Sequence, residues 1–91
     1  MTIELEVKGK TVQGEFALAV APGTLAKDRD REIDALLAGP LSDAADRLGV
    51  VMAAAPSAFA RPLPGKDESG RVRFQVAGRV EGERLVPFRP R

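Results

Sequence analysis

From Thr2 to Val20 apolar and polar positions alternate. Ile3, Leu5 and Val7 share one side of the first run, and Val12, Gly14, Phe16, Leu18 and Val20 one side of the second. A two-residue period is that of a half-buried strand, so residues 2–20 predict a β-hairpin. A two-residue Gly9-Lys10 loop, with glycine first as a type II′ turn prefers, sets Val7 against Val12, Leu5 against Gly14 and Ile3 against Phe16. A slip of one residue would put the two apolar sets on opposite faces.

The period then lengthens. After the Ala21-Pro22-Gly23 turn cluster, Thr24 can cap a helix over residues 24–38. Leu25, Ile33, Leu36 and Leu37 line one side of it, interrupted at Arg29. Gly39-Pro40 is a helix stop followed by a breaker. A second helix is predicted over residues 41–55 from Leu41, Ala44, Ala45, Leu48, Met52 and Ala55, with Pro56 ending it. Gly49 lies inside that span; the alternative is a helix ending there, with Val50-Val51-Met52 extended. Residues 56–70, rich in Pro, Gly and charge, predict an exposed loop from which Phe59 folds back onto the core.

Residues 71–88 predict a second hairpin, with Val72, Phe74, Val76, Gly78 and Val80 facing Val86 and Phe88. A three-residue Glu81-Gly82-Glu83 loop, or an equivalent bulge at Gly78, places Val76 opposite Phe88 and Gly78 opposite Val86. Pro87, which lacks an amide hydrogen, argues for an edge strand. The expected fold is a single α+β domain over residues 1–91. It has two layers: a four-stranded antiparallel sheet made from two hairpins (order ββααββ) and two helices on one face.

Composition narrows the chemistry. The chain has no His, Cys, Tyr or Trp, and its four Phe are the only aromatics. The residue that titrates near neutral pH, the thiolate nucleophile and the usual zinc ligands are therefore absent. A carboxylate enzyme would need two of Asp28, Asp30, Asp34, Asp43 and Asp46 to converge in a cleft. No catalytic residue, cofactor or metal is expected. No run approaches the roughly 20 apolar residues of a membrane helix, and the acidic, alternating amino end is not a signal segment. The expected location is the cytoplasm.

Charge is uneven. Residues 1–45 carry five cations against eight anions and the remainder nine against five, for +1 overall. Arg71, Arg73, Arg79, Arg89 and Arg91 are expected on the solvent face of the second hairpin, and Glu4, Glu6 and Glu15 on that of the first. Adjacent hairpins would set these rows side by side as a cross-strand ion-pair ladder. The other reading is a phosphate-binding stripe.

Two stretches resemble known families. Leu41-Ser42-Asp43-Ala44-Ala45-Asp46-Arg47-Leu48-Gly49-Val50 resembles the first helix and turn of helix-turn-helix DNA-binding domains, which implies a winged-helix protein with residues 72–88 as the wing. Residues 51–63, however, hold Pro56 and Pro62 and only Ser57 and Arg61 as polar side chains. A recognition helix needs several that reach base edges. The first forty residues, with their Gly-Lys-Thr turn and Ala-Pro-Gly-Thr lead into a helix, resemble the opening of a β-grasp, ubiquitin-like domain. The carboxyl end, Phe88-Arg89-Pro90-Arg91, lacks the Gly-Gly tail of conjugation chemistry. Gly9-Lys10-Thr11 lacks the upstream glycine and following helix of a phosphate loop.

The function expected is a small non-enzymatic protein-interaction or self-association module, a homodimer being favoured. It would dock through an exposed sheet edge, the one nearer the first hairpin, or through the helix layer. The alternative is a nucleic-acid binder using Arg71, Arg73, Arg79, Arg84, Arg89 and Arg91.

Overall fold

The computed structural model describes residues 3–21, 23–66, 68 and 70–88. The chain runs β1 (Glu6–Lys8), β2 (Thr11–Leu18), α1 (Ala26–Leu48), β3 (Val51–Met52), a 3-10 turn (Pro56–Phe59), β4 (Ala60–Lys66), β5 (Val72–Glu81) and β6 (Arg84–Pro87). This corrects the expected architecture. It is α+β, but one helix stands where two were predicted, and six strands form one mixed sheet instead of a four-stranded antiparallel one.

The first hairpin has the predicted register, Val7 opposite Val12 and Lys8 opposite Thr11. Gly9 has a φ of +61° and Lys10 is not in the positive-φ region, as a type II′ turn requires. The second hairpin differs from its prediction. Glu81 faces Arg84, Val80 faces Leu85 and Arg79 faces Val86, so the loop is the two residues Gly82-Glu83, with Gly82 at φ +63°. The inward residue of the returning strand is Leu85, fully buried. Val86 sits opposite Arg79, and the Phe88 ring lies under the Arg79 guanidinium, 5.3 Å from it.

β5 is the spine. One side pairs with β2 along Val72 to Arg79; the other is shared, β4 taking Val72 to Val76 and β6 taking Gly78 to Glu81. β3 lies parallel to β6, through Val51 with Arg84 and Met52 with Leu85. Pro87 lies beyond that pairing, whereas β6 itself is internal at Arg84 and Leu85. Residues 60–66, expected in an exposed loop, are strand β4. It pairs with β5 alone and carries a register shift between Pro62 and Lys66, as a proline-bearing edge does. Phe59 is buried, as expected.

The helix passes through Gly39-Pro40 because its apolar stripe keeps phase there. Ile33, Leu37, Leu41, Ala44 and Ala45 are all buried, two before Pro40 and three after it. An interior proline costs about 3 kcal/mol through the lost N–H bond and its ring. Burying Leu37 and Leu41 contributes about 1.5–3 kcal/mol each, so the stripe outweighs the breaker. Gly39, having no Cβ, also escapes the clash that disfavours helix before proline. Thr24 is not the cap: its hydroxyl donates to the Ala21 carbonyl (2.7 Å) and Leu25 holds the N-cap position.

The helix ends at Leu48, not Ala55. Gly49 is left-handed (φ +69°), its N–H reaches the Asp46 carbonyl, and the Val50 N–H reaches that of Ala45. This is the paired-bond C-terminal motif that glycine favours. Leu41 to Leu48 is thus the last third of one long helix, and no second helix follows Gly49 as the helix-turn-helix resemblance implies.

The core joins α1 to the sheet: Ile33, Leu37 and Leu41 against Val12, Phe16, Phe74, Val76 and Leu85. Phe16 and Phe74 face each other across β2 and β5, their rings stacked at 5.1 Å. Arg29, which interrupts the helix's apolar side, lies 5.7 Å from the Phe74 centroid and covers that end of the core. Gly78 leaves the space that Phe59 fills. A Cβ there would lie 3.0 Å from the ring and 3.3 Å from the Val86 carbonyl oxygen. Gly78→Ala is therefore expected to cost about 1–3 kcal/mol in urea unfolding, although strand propensity alone favours alanine by about 0.5–1 kcal/mol. A stabilised variant would show that the Phe59 ring yields freely.

Candidate functional site: a free sheet edge beside a bare face

β1 pairs only with β2, so among the described residues its other side carries no strand. Lys8 and Thr11 flank the two-residue turn and exchange the closing hydrogen bonds, as Glu6 and Gln13 do two residues on. Val7 then falls at a non-hydrogen-bonded pair, and its N–H and C=O point away from the sheet. The same alternation runs on through β2 and β5: Val80 N–H reaches the Lys10 carbonyl and Phe88 N–H that of Ala77.

Beneath this edge is a groove of about 340 Å³ between the start of the chain and α1. Ile3, Leu5 and Val7 supply its sheet side and Pro40 and Ala44 its helix side, with the charged Glu4, Asp43 and Arg47 completing the lining. Leu5 is held in place by Gly14: a Cβ there would come within 2.5 Å of the Leu5 side chain, so the glycine is the socket for it. The groove follows from two periods meeting. Ile3, Leu5 and Val7, at alternate positions leading into and through β1, turn inward, and the stripe of α1 passes beside them just after Pro40.

Among the described residues no helix lies over the opposite face of the sheet. The one α-helix packs on the face that carries Phe16, Phe74 and Leu85. A trough of about 540 Å³ crosses the bare face between Glu4, Glu6 and Glu15, floored by Gln13, Gly14 and Gln75. Of the six arginines predicted as a row, Arg73 and Arg79 lie on β5 and Arg84 on β6. Arg71 directly precedes β5, while Arg89 and Arg91 lie outside the described residues.

The two hairpins are neighbours, as expected, but the ladder does not form. Register explains this: Glu15 faces Gln75, Arg73 faces Ala17 and Arg79 faces Thr11, so no acid meets a base directly across β2 and β5. Among the described residues no ion pair joins Glu4, Glu6 or Glu15 to an arginine. Arg79 pairs instead with Glu81 on its own strand, and Arg29 lies 3.8 Å from Asp30.

The five helix aspartates do not build a cleft. Asp34 accepts the Ser57 N–H at 2.7 Å and so ties α1 to the 3-10 turn, a structural use that local spacing does not announce. Asp28, Asp43 and Asp46 are exposed. Among the described residues no three carboxylates are grouped to hold a metal ion, and no helix is long and apolar enough to cross a membrane. The candidate element not visible in the sequence is the groove. Its sheet side was visible as Ile3, Leu5 and Val7, but its helix side depends on α1 continuing past Pro40. Compared with known protein families, with curated proteins and with solved structures, the chain matches none.

Proposed function

We propose that this protein is a non-enzymatic interaction module that receives an extended polypeptide segment along β1. The observation that carries this reading is the pairing of an open strand edge with a groove directly beneath it, in which Ile3, Leu5, Val7, Pro40 and Ala44 lie among the charged side chains of Glu4, Asp43 and Arg47. A strand added to β1 gains main-chain hydrogen bonds from Val7. Its alternate side chains enter the groove between Leu5, Val7 and Ala44, the arrangement by which edge-strand recognition obtains affinity and selectivity. Residues lying on the other side of such a strand would pass Glu4 and Glu6, which favours a basic or neutral segment there.

This reading accounts for more than the nucleic-acid alternative does. Arg79 is engaged with Glu81 and Phe88, Arg84 faces Glu81, and the bare face around Arg73 includes Glu15. Phosphate binding works through a concentrated basic surface.

The test is selection of displayed random peptides on the immobilised chain. Selected peptides are expected to lose binding at least about tenfold to Val7→Pro, which removes the outward N–H without touching a β1–β2 hydrogen bond. Val7→Ala, which trims the side chain but keeps that N–H, is expected to lose less. No peptide enriched, or equal binding to Val7→Pro and Val7→Ala, would overturn the reading.

A further inference from the structure

The charges along β1 are complementary to their own reversal, so the strand's antiparallel match is another copy of itself. Glu6, Val7 and Lys8 form the strand, acid and base flanking an apolar residue whose backbone groups point outward. In an antiparallel pairing of two such edges, residues on the same face must meet, which leaves a small set of registers. Centred on Leu5, the pairing puts Glu4 against Glu6 twice. Centred on Glu6, it puts Glu6 against its own counterpart. Centred on Val7, it puts Glu6 against Lys8 of the second copy and Lys8 against Glu6 of the second copy, with no like charges facing.

We infer that β1 pairs antiparallel with β1 of a second copy about a two-fold axis at Val7, joining two sheets into one. This rests on the proposed use of the β1 edge and names its occupant. The interface is isologous, the same patch on both partners. Val7 and its counterpart exchange the two hydrogen bonds at the axis. The Glu6–Lys8 contacts on either side are non-hydrogen-bonded positions, where side chains approach most closely. The axis also sets the two α1 helices antiparallel on one side of the joined sheet. Self-pairing also covers the partly exposed apolar residues Leu5 and Val7.

The test is a charge exchange on the full chain, with mass measured by sedimentation equilibrium over a wide concentration range at low salt. The unaltered chain is expected to dimerise. Glu6→Lys places Lys against Lys, and Lys8→Glu places Glu against Glu. Each variant alone is expected to weaken dimerisation about tenfold, since both cross-strand charge contacts turn from attraction to repulsion. An equimolar mixture of the two variants regains opposite charges at both contacts and is expected to dimerise as the unaltered chain does, which two misfolded variants could not do. The double variant Glu6→Lys with Lys8→Glu is likewise expected to self-associate. A chain that stays monomeric, or a dimer indifferent to both single substitutions, would overturn the inference. A monomer that still selects Val7→Pro-sensitive peptides would refute self-pairing while leaving the proposed docking edge in place.

Discussion

Replacing Phe74 by alanine is expected to cost about 3–5 kcal/mol, a large part of the 5–15 kcal/mol that holds a small domain folded. The residue is 1% exposed and sits on the spine strand. It faces Phe16 on β2 and Pro62 on β4, and the Arg29 guanidinium covers its ring. Truncation therefore removes contact on three sides at once. With strands held in register on both sides, the surroundings have little freedom to close the cavity. In thermal unfolding followed by circular dichroism, the midpoint should fall by at least about 12 °C. Combining the change with Phe16→Ala should reveal a coupling of about 0.5–1.5 kcal/mol from the stacked rings. A loss under about 1 kcal/mol for Phe74→Ala would mean the sheet does not close around this residue.

The second large effect has the opposite sign. Pro40→Ala is expected to stabilise the chain, because alanine restores an amide hydrogen for the Leu36 carbonyl in the interior of α1. Removing the interior proline is worth about 3 kcal/mol by helix propensity. Two terms reduce the gain. The unfolded chain recovers freedom that proline had restricted, worth about 0.4–1 kcal/mol, and a small apolar surface leaves the groove. A net rise of about 1–2 kcal/mol in urea unfolding, with an unchanged dependence on denaturant, is the expected result. A destabilised variant would show that the ring's packing matters more than the helix it interrupts. Because Pro40 lines the groove beside β1, the same variant should also change peptide binding there, so stability and docking can be followed together.

Signals carried within a few neighbouring residues were legible in the sequence; those requiring a distant partner were not. The first hairpin is specified locally, by alternation on both strands and a glycine at the position where the turn needs it. The second is specified less clearly, because Val86 and Phe88 look like an inward pair when taken alone. Pairing Leu85 with Val80 was available from the same residues, and it makes the Gly82-Glu83 turn match Gly9-Lys10. The stretch Arg61-Pro62-Leu63-Pro64-Gly65-Lys66 reads as loop by every local rule. It becomes a strand because half of one side of β5 has no other neighbour. At Gly39-Pro40 a strong local stop lost to a stripe that spans it. Gly49, a weaker stop by composition, held because its left-handed backbone closes two hydrogen bonds. As for the candidate site, the sequence pointed to the edge nearer the first hairpin but not to the groove, whose helix wall lies beyond that misread proline.

The placement of β5 also sets an order of events. The first hairpin has its second neighbour only when Val72 to Arg79 arrive, more than fifty residues after Leu18. That long separation makes the central pairing the slow, late step of folding. During synthesis the first hairpin and the helix must therefore wait, their greasy sides uncovered, until the strand that joins them has left the ribosome.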